Sequence, residues 1–158
     1  MIYLTVGTQL AFDRMAGVVN NWVVGTDVEV VAQIGPSDTV FSNIQSESFF
    51  SPSQSYDYFS KAEVIVSHAG MGSILTACEL GKVIIIFPRC FDLGEHRNDH
   101  QLATAKKFEG FSNIHVAYNE ETLIELLNSR ESLSGGGSNM SKYAPADFIS
   151  VIDSYLVD

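Results

Sequence analysis

Seven residues, Ser67-His68-Ala69-Gly70-Met71-Gly72-Ser73, stand between an apolar run, Val64-Ile65-Val66, and a stretch of helical spacing that carries Glu79. A strand that runs into a small glycine-bearing turn, with the turn opening a helix, offers backbone N–H groups and a positive helix end to an anion such as a phosphate. In the helix that follows, Met71, Ile74, Ala77 and Cys78 form one apolar face, while Gly72, Thr76 and Glu79 share another at i, i+4 and i+7. Small residues leave room above the helix start. A Glu79 carboxylate leaning back toward it can accept two hydrogen bonds from a vicinal diol such as a ribose. The other reading of Glu79 is an exposed helix glutamate. His68 has two readings as well: a satisfied histidine at a strand end, or a group that orients the turn or donates to a phosphate.

A second polar cluster runs from Pro88 to Gln101 and holds Arg89, Cys90, Glu95, His96, Arg97, Asp99 and His100. It follows Val83-Ile84-Ile85-Ile86-Phe87, a run apolar at every position, as a strand covered on both faces would be. His96 and His100, four apart, invite a metal reading. The pattern is not H-E-x-x-H, and only Asp92, Glu95 or Cys90 offers a third ligand, so donors and acceptors for a sugar and its phosphates fit better. Two familiar nucleotide motifs are absent. Gly70-Met71-Gly72 lacks the third glycine of a dinucleotide fingerprint, and there is no G-K-[ST] phosphate loop.

These clusters need a scaffold, and the chain supplies one by alternation. Ile2 to Val6 reads as a strand ending at Gly7-Thr8, and Phe12 to Val23 as an amphipathic helix. Val28 to Ile34 reads as a second strand, and Glu47 to Phe50 as a short third one. Ser51-Pro52-Ser53-Gln54 has the form of a capping box and predicts a helix to about Lys61, with Tyr56 and Phe59 inward. Strand 63–67, the glycine turn, a helix ending at Gly81 and strand 83–87 follow. Beyond them come a helix from Asn98 to about Phe108, a strand 114–117 and a helix capped by Asn119. Residues 130–142, with Gly135-Gly136-Gly137, read as a flexible loop, and Ala146 to Leu156 as a closing amphipathic helix. The expectation is an α/β fold: a Rossmann-like parallel sheet with helices on both faces, in one domain spanning residues 1–158. In such folds ligands sit beyond the carboxyl ends of the strands, which puts the turns after Val6, Ser67 and Phe87 on one edge.

Composition narrows the partners. Lys and Arg number 9 against 19 Asp and Glu, a net charge of −10. Nucleic-acid backbones need clustered Lys and Arg and are therefore set aside, while a single nucleotide diphosphate on a helix end is not. No apolar run reaches the ~20 residues of a membrane span, and the N-terminus lacks the charged region of a signal peptide. Cys78 and Cys90 read as reduced thiols of a cytoplasmic protein.

Ser67-His68-Ala69-Gly70-Met71-Gly72-Ser73, with Glu79, Gly81-Lys82, Pro88 and Asp99-His100-Gln101, resembles the carboxyl-terminal domain of family 28 glycosyltransferases. Nearly the whole chain is similar to the small donor-binding subunits of split enzymes in that family. One group is the cytosolic subunit of the dolichol-linked N-acetylglucosaminyltransferase; another is the bacterial capsule and exopolysaccharide β-1,4-glycosyltransferase subunits. Val6-Gly7-Thr8 and the Pro88-to-Gln101 segment favour the bacterial group. The resemblance implies one half of a GT-B fold that binds a UDP-sugar without needing a metal. It makes the Ser67–Ser73 turn a donor-binding element, with Ala69 to Ser73 cradling the diphosphate and Glu79 on the ribose. His100 and Gln101 would face the donor sugar and phosphates. Gly7 and Thr8 would line the same cleft, and Arg89, Glu95 and His96 would be sugar-side contacts. It further implies an inverting transfer whose general base lies on a membrane-associated partner that brings a lipid-linked saccharide acceptor. His68, His96 and His100 are the candidates within this chain. The chain would be cytoplasmic and recruited to the membrane by that partner.

Overall fold

The computed structural model describes residues 1–133. Six strands form one sheet: β1 (Ile2–Thr5), β2 (Val30–Gln33), β3 (Gln45–Glu47), β4 (Val64–Ser67), β5 (Val83–Ile86) and β6 (Ile114–Val116). Every pairing is parallel, in the order β3-β2-β1-β4-β5-β6. Parallel neighbours need crossovers, and helices supply four of the five: α1 (Asp13–Trp22), α2 (Pro52–Lys61), α3 (Met71–Glu79) and α4 (His100–Phe108); the β2–β3 crossover carries no helix, and α5 (Glu120–Asn128) follows β6.

Strand side chains alternate between two cores. Ile2, Leu4, Val66 and Ile85 pack with Met15 and Val19 of α1 and Leu123 and Leu127 of α5. Tyr3, Ile65, Ile84 and Ile86 pack on the other face with Phe59 of α2, Ile74 and Ala77 of α3 and Phe108 of α4. β1, β4 and β5 are buried along their whole length, as the apolar runs required. The chain leaves β1 toward β2 and β3, then crosses back to β4 and continues toward β6. Strand order therefore reverses between β1 and β4, the place where a doubly wound sheet opens a crevice at its carboxyl edge.

Some local expectations need correcting. β3 is Gln45–Glu47, not Glu47 to Phe50. Its end is fixed by Gln33, whose Oε1 accepts the Phe50 N–H at 3.0 Å and draws residue 50 off the ladder. On α2, Phe59 is buried but Tyr56 is exposed. Tyr58 takes the inward place, stacked on Tyr3 with ring centroids 5.5 Å apart. The fourth helix starts at His100 rather than Asn98, because the Asn98 Oδ1 accepts the His100 N–H and makes residue 98 part of the preceding turn. Arg130–Ser132 forms a 3-10 turn inside the expected 130–142 loop. The remainder of that loop and the helix expected over Ala146–Leu156 lie outside the described residues.

Candidate functional site

At the strand-order reversal, between the loop after β1 and the turn after β4, lies a cleft of about 480 Å³. This is the size range of small-ligand sites. Its lining comes from four sheet-edge segments: Thr5 to Leu10 after β1, Gln33 of β2 with Ser55 and Phe59 of α2, His68 to Thr76, and Arg89, His96 and Gln101 after β5.

The turn after β4 is built around the His68 ring. A Cβ on Gly70 would stand 2.1 Å from His68 Nε2, and one on Gly7 2.8 Å from Cε1, so the imidazole fills the space that both glycines leave. Gly7 also has φ of +81°, a conformation side chains avoid. The Ser67 Oγ lies 3.3 Å from His68 Nδ1. Burial, with the Arg89 charge nearby, lowers the His68 pKa from 6.5 to about 4, so the ring is neutral at physiological pH. Gly70 then caps α3 in an extended conformation with no side-chain hydrogen bond to the helix, unlike α2, capped by Ser51, and α5, capped by Asn119. The first intrahelical bond is Ile74 N–H to Gly70 O at 3.2 Å, which leaves the N–H groups of Met71, Gly72 and Ser73 at the cleft without helical acceptors. Such an end takes an anion.

Buried polar links hold the loops around this helix end. Gln33 Nε2 donates to Gly7 O at 3.1 Å while its Oε1 receives Phe50 N–H, joining the β1 loop to the start of α2. Arg89 is 2% exposed. Its guanidinium donates to the carbonyls of Val6 (3.0 Å), Leu10 (2.7 Å) and Ala11, and lies 4.4 Å over the Phe12 ring. Burial lowers its pKa to about 10, which still leaves it a cation. Arg14 of α1 makes a two-pronged pair with Glu95, and the Glu95 Oε2 also accepts the Cys90 N–H at 2.9 Å. That hydrogen bonding to Glu95 raises the Arg14 pKa.

The sequence candidates therefore separate. Gly7, Thr8, His68, Gly70, Met71, Gly72, Ser73, Arg89, His96 and Gln101 line the cleft. Ser67 and Ala69 are buried beneath the turn and shape it from below. Glu95 bonds to Arg14 and the Cys90 amide, and three of the five Arg89 N–H groups bond to backbone carbonyls. His100 opens α4 as an exposed residue away from the cleft lining, while His96 Nδ1 is held by Asn98 at 3.0 Å. Glu79 is exposed at the far end of α3 and does not line the cleft; Thr76, one turn nearer the helix start, does. Among the described residues no three His, Cys, Asp or Glu side chains are grouped to hold a metal ion, and no helix is long and apolar enough to cross a membrane.

Sequence reasoning missed Gln9, Leu10, Gln33, Ser55 and Phe59 as lining residues, and Thr76 as the α3 residue facing the cleft. Only Thr76 had a usable signal, its i+4 spacing from Gly72.

Comparison with known proteins agrees with this architecture. ALG13, solved in solution, superposes with a TM-score of 0.63 at 16% identity, over 97% of this chain and 95% of ALG13. MurG of Acinetobacter baumannii gives 0.63 at 18% identity, over 95% of this chain and 48% of MurG. CalG4, the calicheamicin glycosyltransferase, gives 0.62 at 15% identity, over 99% and 43%. The chain thus spans less than half of MurG and CalG4 but nearly all of ALG13. At these identities the likeness is one of fold, that of one domain of a GT-B glycosyltransferase. No curated protein sequence matches significantly. The sequence profile described as glycosyltransferase family 28 C-terminal domain matches residues 1–146, and the chain belongs to that family.

Proposed function

We propose that this chain is the donor-binding subunit of a two-subunit inverting glycosyltransferase that moves a hexose from a UDP-sugar to a lipid-linked acceptor in capsular or exopolysaccharide synthesis. The observation that carries the reading is the α3 start. It presents three backbone N–H groups without helical acceptors, in a cleft at the strand-order reversal of a family 28 domain. A diphosphate fits this end by charge and by hydrogen-bond count, with no metal called for.

In the reaction an acceptor hydroxyl attacks the anomeric carbon in line, the bond from that carbon to the diphosphate oxygen breaks, and UDP departs with the electron pair. Negative charge grows on the leaving oxygen, and the N–H groups of Met71, Gly72 and Ser73 hold it as it develops. His68 is wedged between two glycines, so it shapes the turn, and its lowered pKa makes it a weak base for the acceptor's proton. The general base and the acceptor belong to the partner, a membrane-associated subunit that recruits this chain to the cytoplasmic face. Supporting this is a chain that matches under half the length of MurG and CalG4.

Calorimetry with UDP tests the donor reading, and transfer from labelled UDP-sugars with and without the partner tests the rest. The expected result is UDP binding by the chain and transfer only with the partner. Transfer of N-acetylglucosamine to a lipid-linked oligosaccharide would move the chain to the other split group. Absence of UDP binding, alone and in complex, would make it a non-catalytic module.

A further inference from the structure

The sugar-side role that the sequence suggested for Arg89 does not suit its surroundings. Its side chain is buried, and three of its five N–H groups donate to the carbonyls of Val6, Leu10 and Ala11, three points on the loop that ends β1. Its ring-facing contact is Phe12, the residue that opens α1. Its own backbone N–H goes to Gln101 Oε1 at 3.1 Å. A carboxamide whose oxygen is taken by a backbone N–H must turn its NH₂ the other way. Gln101 lines the cleft, so its orientation there is set by Arg89. Among the described residues no carboxylate lies within ion-pair distance of the Arg89 guanidinium, Glu95 being paired with Arg14. The immediate neighbours of this cation are carbonyl dipoles and the Phe12 ring, and Glu95 acts on it only from beyond ion-pair distance.

We infer that Arg89 is a positioning residue for the donor: it holds the Gly7–Leu10 wall and the Gln101 amide in one fixed relation. Its unpaired charge reinforces the diphosphate cradle without touching the ligand. This rests on the donor reading above. Three carbonyls on one loop converge on a single fork of N–H groups, which a lysine ammonium with one point of attachment does not reproduce. A loop freed from that fork loses the geometry in which Gly7 packs on His68, and with it the shape of the cradle.

The test uses the full chain with UDP and uridine as paired ligands, and the variants Arg89→Lys and Arg89→Met. Each is titrated by calorimetry at a temperature where circular dichroism shows it folded. For Arg89→Met the expected result is a rise in the UDP Kd of at least about tenfold, from a displaced cradle wall and the loss of a nearby buried charge. Its uridine Kd should change by less than about twofold, since uridine carries no charge for the cradle to meet. Arg89→Lys should fall between wild type and Arg89→Met. A merely structural role would lower the melting temperature and leave the ratio of the two Kd values unchanged in folded protein, which overturns the inference. Should the variants not fold, ¹⁵N spectra of the wild-type side chains decide. Saturation with UDP should shift the Arg89 guanidinium signals together with the Gly7 and Thr8 amides and the Gln101 NH₂ group. An Arg89 unmoved by UDP overturns the inference. A wild-type chain that ignores UDP overturns the donor reading, and this inference falls with it; a wild type that binds UDP no better than Arg89→Met overturns this inference alone.

Discussion

Gly70 and Gly72 are two residues apart, and methyl groups added to them should have opposite effects. Gly70 has φ −93° and ψ 134°, a conformation alanine adopts freely, so the cost of Gly70→Ala is contact alone. The new Cβ would stand 2.1 Å from His68 Nε2 and 2.7 Å from Cε1. The ring already lies where a Gly7 Cβ would stand, 2.8 Å from that point, so a retreat that way runs into the Gly7 backbone. Forcing an atom into a packed site costs about 1–3 kcal/mol. For a chain of this size that lowers the melting temperature by roughly 3–10 °C. A Cβ on Gly72 meets nothing within 4 Å. Gly72→Ala should therefore gain a few tenths to about 1 kcal/mol from helix propensity, while its methyl occupies open space at the cleft and weakens UDP binding. Thermal melts and UDP titrations of both variants, with His68→Ala and the His68→Ala/Gly70→Ala double variant, complete the experiment. Removing the ring should remove most of the cost of Gly70→Ala, a coupling of at least about 1 kcal/mol for residues in contact. A Gly70→Ala protein that melts within about 1 °C of wild type, or a cycle that is additive, would refute the packing of His68 between the two glycines.

Three further outcomes are expected. The unfolded chain protonates His68 near 6.5 and the folded chain near 4, so the stability from this residue is complete above about 6.5 and is lost as the pH falls toward about 4. The difference is on the order of 3 kcal/mol, and urea midpoints of wild type and His68→Asn should converge as the pH drops through that window. Glu95→Gln leaves Arg14 without its charge partner and weakens the tie to the Cys90 amide, and chemical denaturation should show a loss of about 1–3 kcal/mol. In UDP titrations Glu79→Ala should bind as wild type does, since Glu79 stands outside the cleft lining. Thr76→Phe, which fills the cleft beside the helix start, should raise the Kd at least about tenfold.

The parts of the fold that the sequence announced are those where burial alone decides. β1, β4 and β5 are apolar throughout because both faces are covered, and the capping box at Ser51 to Gln54 forms as its residues require. β3 carries no such mark. Gln45-Ser46-Glu47 is polar, and it becomes a strand because the outer edge of β2 offers unpaired N–H and C=O groups in register with it. The glycine turn was legible as an anion site, since turn, helix start and small residues are consecutive in the chain. Glu79 lies outside the cleft lining. Periodicity puts it on the face of Gly72 and Thr76, but Glu79 is about 4.5 Å farther along the axis from the helix start than Thr76. Arg89 and Glu95 could be placed near the cleft but not oriented. Whether an arginine after a buried strand turns to the ligand or to the neighbouring loop depends on carbonyls eighty residues away in sequence, and no local pattern records them.

The net charge of −10 sets a problem for any chain that holds a diphosphate, and the structure suggests how it is met. Charges on the surface are screened beyond roughly 8 Å at physiological ionic strength, whereas a buried cation and a helix end facing a cleft are screened far less. The local potential is therefore decided by a few groups: the α3 N-terminus, and buried Arg89 at the cleft, with no carboxylate in ion-pair distance among the described residues. Arg14, the other cation at this edge, is neutralised by Glu95 and contributes rigidity instead. One arginine is thus kept unpaired near the cradle and the other is spent on the loop that carries His96. Burial is the main reason that His68 stays neutral, and the Arg89 charge adds to it: a positive potential that favours an anion in the cleft also disfavours a proton on the ring. The depressed histidine pKa, set first by burial, and the anion site thus share one contribution, the Arg89 charge.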